Sequence, residues 1–262
     1  MADIIQINGD NLDPHSYLVL LELSKRPDSG LFGKQFQIDS GKTLTTSLLS
    51  YYKLDDGTDY FGTRNLTVVG NTVFGTGKVG NAAYFDGVDD GLDGGNVFNF
   101  ERTDSFSVSA WVKRNTSGTS DFIAGNEDFL GTNTGWAFDI AAADQATVEL
   151  SAGAGNSCSA RASIGNSDTG SAHHYVMTYN GTSDVSGIKI YVDGVSKTLT
   201  TVSNNLVSSI TTTGAFRLGL TNDNSADLDG YIDEVGIWTK VLTQTEVSDL
   251  YNGGAGQTMI TP

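Results

Sequence analysis

The sequence contains little cysteine and little proline, and each shortage excludes a class of protein. Cys158 is the single cysteine among 262 residues, so the chain can form no intrachain disulfide and no thiolate metal site. A catalytic thiol would need a histidine partner, whereas Cys158 lies in a polar run, residues 155–160, which favours a buried structural role. Three prolines are too few for a long polyproline linker.

Basic residues are also scarce. The chain has 15 lysines and arginines against 31 aspartates and glutamates, which gives a formal net charge of -16 at pH 7. Because so acidic a chain repels phosphate backbones and anionic lipid surfaces, we expect no nucleic-acid partner. The excess carboxylates either keep the protein soluble or, where they cluster, bind a hard cation such as calcium.

Long apolar runs are missing as well. The first stretch of the chain has no lysine or arginine before Lys25, and its longest apolar run covers residues 17–21 only. We therefore expect no secretory signal peptide and no membrane insertion, and we expect synthesis in the cytoplasm of the host cell.

Glycine is abundant, with 32 residues, and Ser, Thr and Asn lie between short apolar runs. This composition is typical of many short strands joined by tight turns. In residues 106–112 the apolar side chains alternate with serines, as in a strand with one buried face. Asp193 and Gly194 form a two-residue hairpin turn between two such runs. Further strands are expected at residues 121–125, 136–140, 147–151, 158–162, 174–179, 188–192, 196–200, 216–220 and 231–238.

One short helix is expected after the strand at residues 231–238. Thr243 and Glu246 have the spacing of a capping box, in which each side chain bonds the backbone of the other residue. Leu242 and Val247 have the spacing of a hydrophobic staple, and Gly253 can end the helix.

Six segments in order resemble the laminin G-like, concanavalin A-like jellyroll family. The closing segment has Ile-Asp-Glu-Val at residues 232–235 and Leu-Tyr-Asn-Gly-Gly at residues 250–254. The resemblance implies an all-β, antiparallel two-sheet jellyroll, the concanavalin A-like lectin/glucanase sandwich, with one short C-terminal helix. It assigns residues 46–262 to the jellyroll and residues 1–45 to an N-terminal arm. The other segments with this resemblance are residues 49–56, 77–87, 106–113, 173–181 and 188–194.

An enzymatic role is not expected. Glycosidases that share this fold resemble one another in carrying three acidic residues at alternate positions of one strand, which places them on one face. No Glu-x-Asp-x-Glu sequence occurs in this chain. Asp229 and Asp233 are four residues apart, but the resemblance implies a structural role for Asp233. Glu127 and Asp128 are adjacent and point to opposite faces of an extended strand.

Trp111, Trp136 and Asp128 are the predicted ligand-binding residues. Trp111 falls on the polar face of the strand at residues 106–112, where it is either packed under a loop or exposed as a platform for a sugar ring. His173 and His174 are consecutive and face opposite sides of a strand, so they cannot share a metal. We interpret them as hydrogen-bonded structural residues.

The resemblance also implies a calcium site. Jellyrolls similar to this one hold a structural calcium with acidic residues near the first strands and the closing strand, which selects Asp55, Asp86 and Asp233. Calcium takes 6–8 oxygen ligands, and acidic loops supply them. One structural calcium ion is the only cofactor that we predict.

Residues 1–45 do not match the family, yet they contain apolar runs that must be covered, either by the jellyroll or by another protein. We predict the second, with residues 3–7 able to add a strand to a neighbour. The leading hypothesis is a non-catalytic structural or decoration protein of a bacteriophage virion that displays a lectin-like jellyroll. Its partners would be capsid or tail proteins, bound through residues 1–45 in an oligomeric assembly, and a cell-surface glycan. The alternatives are a free carbohydrate-binding or adhesion module and a glycan-active hydrolase or lyase.

Overall fold

The computed structural model describes residues 4–7, 35–38, 44–164 and 169–259. The chain divides into two compact units, residues 1–46 with Pro262 and residues 47–261. In the first unit, β1 (Ile4–Ile7) and β2 (Gln35–Ile38) form a parallel pair. The apolar run at residues 17–23 lies outside the described residues.

The second unit contains the strands that the alternating pattern predicts, arranged in two antiparallel sheets. The front sheet has the strand order β16-β12-β11-β10-β9-β17-β7-β4, and the back sheet has the order β15-β14-β13-β8-β18-β6-β5, with β3 paired to β18. The strands are β3 (Leu48–Tyr52), β4 (Thr67–Val69), β5 (Val73–Thr76), β6 (Asn81–Asp86), β7 (Gly91–Gly95), β8 (Ser105–Arg114), β9 (Asp121–Gly125), β10 (Thr134–Ala141), β11 (Gln145–Ala152), β12 (Ser157–Ser163), β13 (His173–Asn180), β14 (Ile188–Val192), β15 (Val195–Ser196), β16 (Thr200–Asn204), β17 (Phe216–Leu218) and β18 (Asp229–Trp238). The predicted all-β, two-sheet antiparallel architecture is confirmed.

The core lies between the two sheets. In β8, Phe106 and Val108 face inward, while Ser107 and Ser109 face away from the core, as the alternation predicts. The aromatic centre of the core includes Phe106 and Trp136, whose ring centroids are 5.4 Å apart. Burying such large rings supplies much of the hydrophobic stabilisation of the sandwich.

One predicted strand divides into two. The run at residues 196–200 contains the end of β15 and the start of β16, and these two strands belong to different sheets. The tight turn at Asp193 and Gly194, with φ angles of 53° and 75°, places β15 beside β14. Residues 197–199, which are not in a strand, then connect β15 to β16 in the other sheet. Strands β4, β5 and β7 were not predicted, because they are short and have few apolar residues or many glycines.

An α-helix, α1 (Gln244–Tyr251), follows β18. The predicted capping box is present, with both bonds between Thr243 and Glu246 formed. Val247 is fully buried, and Tyr251 stacks on Trp111 with ring centroids 5.8 Å apart. The helix therefore covers part of the outer face of the back sheet. No helix in the described ranges is long and apolar enough to span a bilayer.

A bulge interrupts the closing strand β18. The register with β8 shifts between Asp233 and Gly236, and Glu234 adopts a left-handed φ of 51°. Because of the extra residue, Ile232 and Val235 both face the core although they are three positions apart. The bulge also turns two consecutive carboxylates, those of Asp233 and Glu234, away from the core.

Candidate functional site

Strands β10, β11 and β12 turn every second side chain away from the core. Phe138, Val148 and Ala160 face the core, so their neighbours in sequence face outward on the front sheet. The strand register places these outward residues in three parallel rows. The first row is Glu127, Gly135, Ser151 and Ser157; the second is Gly125, Ala137, Glu149 and Ser159; the third is Phe122, Asp139, Thr147 and Arg161.

The middle of this face is built from residues without long side chains. A Cβ atom at Gly125 would lie 2.4 Å from the carbonyl oxygen of Trp136, and one at Gly135 would lie 2.7 Å from Cα of Glu127. Neither glycine can therefore be replaced without moving the backbone, and the surface stays low there. We call this site the polar trough: its floor is Gly125, Gly135 and Ala137, and its walls are Glu127, Asp139, Glu149 and Arg161.

Two phenylalanines border the trough beside the carboxylates. Phe122 is 2% exposed, and a Cβ at Gly125 would lie 2.9 Å from its Cζ, so the ring leans over the floor. Phe129 packs edge-on against Phe122, with centroids 6.3 Å apart. The trough thus combines an apolar rim with charged walls, an arrangement found in sites that bind small polar ligands.

Asp128, a predicted ligand-binding residue, lies in the loop between these features. Its Oδ1 accepts a hydrogen bond from the Asn222 side chain at 2.9 Å, and the same Asn222 accepts one from the backbone N–H of Phe129 at 3.0 Å. Asp128 therefore holds the loop that carries Phe129 and leads from Glu127. It is the one predicted ligand residue that the structure places at the trough.

The carboxylates of the trough have raised pKa values. Burial raises the pKa of Glu127 to about 8, and the charges of Glu149 and Asp139 add to the effect. Burial, with the charge of Glu149, raises the pKa of Asp139 to about 7, against the opposing charge of Arg161. Burial likewise raises the pKa of Glu149. Near neutral pH the trough thus holds protons as well as charge, so its walls can donate and accept hydrogen bonds.

Two buried donors in the trough have no partner. Within the described residues, Ser159 Oγ and Arg161 Nε are buried polar atoms without a hydrogen bond. Ser159 is 0% exposed and lies directly opposite Glu149 in the register. Because an unpaired buried polar group is costly, these atoms indicate groups that a ligand could satisfy.

On its other side the trough meets an ion pair. Arg217 is opposite Gly125 in the register, and its Nε lies 3.3 Å from Oδ2 of Asp93 on β7. This pair neutralises itself. Arg217 therefore adds no unpaired positive charge to the trough.

The two predicted tryptophans are placed elsewhere. Trp136 is 1% exposed, faces the core and donates from Nε1 to the carbonyl of Phe98 at 2.9 Å. Trp111 is 2% exposed on the outer face of the back sheet, between His174 and Tyr251. Neither indole presents an open ring face to a sugar, because core packing covers one and α1 covers the other.

The predicted calcium ligands do not form one cluster. Asp86 lies with Asp89 and Asp90, whose carboxylate atoms are within 4.8 Å of one another, and it pairs in register with Asp229 rather than with Asp233. Asp233 is 0% exposed, and its Oδ2 accepts the backbone N–H groups of residues 78 and 79, each at 2.8 Å.

Asp55 and Asp233 form a second acidic pair. Burial raises the pKa of Asp233 to about 7, and the nearby charge of Asp55 contributes. Oδ1 of Asp233 is a buried oxygen without a partner. The donor chemistry of these two residues fits a calcium ion, which prefers carboxylate oxygens, whereas Asp86 would belong to a separate site.

The two consecutive histidines both make structural contacts. His173 Nδ1 lies 2.7 Å from Oδ2 of Asp193, in a surface cleft of about 370 Å³. His174 faces the other side, where its Nε2 lies 2.8 Å from Ser109 Oγ, and burial lowers its pKa to about 3. A neutral, buried His174 fits the predicted structural role.

Sequence reasoning predicted none of the four wall residues as ligand-binding: it considered Glu127 only as a carboxylate adjacent to Asp128, and it missed the other three, Asp139, Glu149 and Arg161. Each lies on a predicted strand, at a polar position between apolar ones, so the alternation did show that it faces outward. Their proximity depends on the register between three strands, which no pattern within a single strand reveals.

Comparisons with known proteins agree on the fold. The family model described as the Concanavalin A-like lectin/glucanases superfamily matches residues 85–248. The binding domain of Paraclostridial Mosquitocidal Protein 1 is 17% identical with a TM-score of 0.63, over 80% of this chain and 53% of that chain. No curated protein sequence matches.

Two further similar structures hold sugars. Domain 4 of AbnA, a GH43 extracellular arabinanase from Geobacillus stearothermophilus in complex with arabinotriose, is 21% identical with a TM-score of 0.53, over 80% of this chain and 98% of that domain. The botulinum neurotoxin serotype D ligand binding domain in complex with N-acetylneuraminic acid is 17% identical with a TM-score of 0.62, over 81% of this chain and 52% of that chain. This chain thus spans about half of each toxin domain, and these identities show the fold alone.

Proposed function

Because the chain belongs to the concanavalin A-like lectin/glucanases superfamily, we propose that its second unit is a non-catalytic glycan-binding module whose binding site is the polar trough. The observation that carries the proposal is the register of β10, β11 and β12. It surrounds a floor of small residues with the carboxylates of Glu127, Asp139 and Glu149 and the guanidinium of Arg161.

The chemistry of the trough suits a sugar. Carboxylates and a guanidinium hydrogen-bond to pairs of hydroxyl groups, and an aromatic edge packs against the C–H groups of a pyranose ring. The trough offers both, through its four wall residues and through the half-buried Phe129, which packs edge-on against the buried Phe122. The unpaired Ser159 Oγ gives a hydroxyl group one more partner.

The similar structures support the proposal at the level of the fold. An arabinanase domain in complex with arabinotriose and a toxin domain in complex with N-acetylneuraminic acid share this architecture. In both proteins a domain of this fold forms a complex with a sugar. We therefore favour binding over hydrolysis for this chain.

The electrostatics of the trough also favour binding. Hydrolysis with retention needs one carboxylate that stays ionised and another that is protonated, and enzymes obtain this by giving the two groups opposite environments. Here burial raises the pKa of Glu127, Asp139 and Glu149 alike. Burial thus shifts all three pKa values in the same direction, and not in the opposite directions that separate an acid from a nucleophile.

The test is a glycan array followed by calorimetry on the glycans that bind. Glu149→Gln removes one wall charge, and Asp249→Asn on α1 makes the same charge change on the far side of the sandwich. We expect at least a tenfold loss of affinity for the first variant and none for the second. Binding that Glu149→Gln leaves unchanged, or no binding to any glycan, would contradict the proposal.

We further propose that residues 1–45 attach the module to a larger assembly, a bacteriophage virion in the leading hypothesis. The support is that the chain divides near this boundary into two separate units, so one unit can be held while the other remains free to bind. The parallel pair β1 and β2 has a backbone suited to pairing with a further strand.

A further inference from the structure

We infer that the polar trough selects a sugar that carries a free amine, such as a glucosamine residue, over neutral and acidic sugars. The inference rests on the proposed glycan-binding function and names the class of sugar for the same site. The geometry that points to it is the convergence of three carboxylates and one guanidinium on a floor of small residues.

The number of acceptors matches an ammonium group. Asp139 and Glu149 are diagonal neighbours on adjacent strands, a relation in which the Cα atoms are typically about 7–8 Å apart. Glu127 lies on the other side of the floor, in the row next to that of Glu149. An ammonium group has three N–H donors and no acceptor. One such group above Ala137 can therefore direct one N–H towards each carboxylate.

The trough has more acidic than basic groups, so it favours a ligand with a positive charge such as an ammonium group. Three acidic walls face one basic wall, Arg161, and Arg217, which is opposite Gly125 in the register, is paired with Asp93 at 3.3 Å. Near neutral pH the raised pKa values keep protons on these carboxylates, and a bound ammonium can displace those protons and neutralise the carboxylates in their place. An N-acetyl or hydroxyl group at the same position brings no charge.

The unpaired donors distinguish an aminosugar from a simple cation. Ser159 is 0% exposed and its Oγ has no partner in the described part of the chain. The Nε atom of Arg161 is also buried without a partner there. Both can donate to a ligand, and a metal ion has no acceptor to offer them and is repelled by the guanidinium. A sugar ring supplies hydroxyl and ring oxygens for these donors beside the amine.

Acidic sugars fit the same surface poorly. The carboxylate of a sialic or uronic acid would enter a group of three acidic side chains, and the one guanidinium is already shared with Asp139 and Glu149 through their charges. Those trough carboxylates that are ionised repel a second carboxylate. The trough therefore selects against the sugar class that the serotype D toxin domain holds in its complex.

The experiment is calorimetry of the full chain with four probes: a glucosamine tetramer, an N-acetylglucosamine tetramer, cellotetraose and sialyllactose. All are measured in about 0.3 M salt, which screens the general attraction of a polycation to a protein of net charge -16. We expect the glucosamine tetramer to bind at least tenfold more tightly than either neutral tetramer, and sialyllactose to bind most weakly.

Variants assign the preference to the trough. Glu149→Gln and Asp139→Asn should each bring the ratio between the glucosamine and N-acetylglucosamine tetramers close to one, whereas Asp249→Asn should leave it unchanged. Circular dichroism checks that each variant is folded. Equal affinity of the wild type for amine and neutral tetramers overturns the inference and leaves glycan binding standing. Absence of binding to all four probes and to the glycan array overturns both.

Discussion

Glu127 is 8% exposed, and burial raises its pKa to about 8. Such a carboxyl stabilises the fold while it is protonated. Its contribution is complete below the unfolded pKa of about 4 and is lost as the pH rises through the folded value. Glu234 behaves alike, since burial raises its pKa to about 8 as well.

The chain should therefore lose stability between pH 6.5 and 8.5. The window begins at pH 6.5 because of His174, whose pKa burial lowers to about 3. Below its unfolded pKa of about 6.5, His174 makes stability rise with pH and so opposes the effect of the carboxyls. We expect the urea midpoint to fall across this window. Glu127→Gln should remove on the order of 1 kcal/mol of that fall.

The matched control for the pH experiment is Asp56→Asn, a change of the same kind in an exposed loop residue. This variant should follow the wild-type curve. If Glu127→Gln shows the same slope as the wild type between pH 6.5 and 8.5, the proton on Glu127 is not linked to folding.

Trp111 gives a second prediction at this scale. The side chain is 2% exposed between His174 and Tyr251, so Trp111→Ala leaves a cavity beneath α1. We expect a loss of about 3–5 kcal/mol in the free energy of unfolding, with glycan affinity of the folded protein unchanged. Glu149→Gln should show the opposite pattern. A Trp111 variant that is stable but does not bind glycan would reassign the site to the back sheet.

At the residue scale, alternation along the chain predicted which way most side chains face. It placed Trp111 on the polar face of its strand, and the open choice was between packing and exposure. Helix α1 packs over Trp111 through Tyr251, so the indole is covered and not exposed. The position of α1 depends on tertiary contacts that a local pattern does not contain. The same limit hid the convergence of Asp139 and Glu149, because convergence requires the register of β10 against β11.

Among the elements, the bulged strand β18 carries the calcium prediction. Oδ1 of Asp233 is buried without a partner and Asp55 is close by, so a calcium ion bound there should stabilise the fold by linkage. At a calcium concentration of one hundred times Kd the gain is about 2.7 kcal/mol. Melting is measured in calcium and in a chelator.

Two variants separate the possible calcium sites. Asp233→Asn should abolish the calcium-dependent rise in Tm, whereas Asp86→Asn should retain it if the ion lies with Asp55 and Asp233. The reverse result would place the ion at Asp86, Asp89 and Asp90. A Tm that calcium does not move, together with no metal by elemental analysis, would exclude both.

Element boundaries followed the strength of the local signal. Strands β9 and β14 have the predicted limits, and the capping box of Thr243 and Glu246 started α1 where expected. Strands β4, β5 and β7 carry few apolar residues, because they lie at or near sheet edges or are rich in glycine. Pairing with a neighbour, and not their own composition, makes them strands.

For the molecule as a whole, we predict no glycan hydrolase or lyase activity. The chain has no Glu-x-Asp-x-Glu sequence, and the three trough carboxylates come from β10, β11 and the segment after β9 instead of from alternate positions of one strand. Reducing-end release from β-glucans, galactans, alginate and chitosan should equal that of a buffer blank. Release above the blank that Glu127→Gln or Glu149→Gln abolishes would show an enzyme.

The two-unit organisation gives a prediction for the arm. A protein that begins at Leu44 should stay folded, because the sandwich of residues 47–261 is a separate unit with its own core. It should be monomeric and should no longer associate with the larger assembly that we propose for the full chain. Light scattering and sedimentation with purified particles measure this. Unfolding of the shortened protein would show instead that the arm completes the core.

The central position of β18 also determines when the back sheet can form during translation. This strand joins β8 on one side to β3 and β6 on the other, and it is the last described strand to leave the ribosome. Until then the nascent chain exposes open edges on β8 and β6, which neighbouring nascent chains can pair with. The sandwich therefore closes after its strands are all made, and the yield of folded protein depends on how well chaperones shield those edges while synthesis finishes.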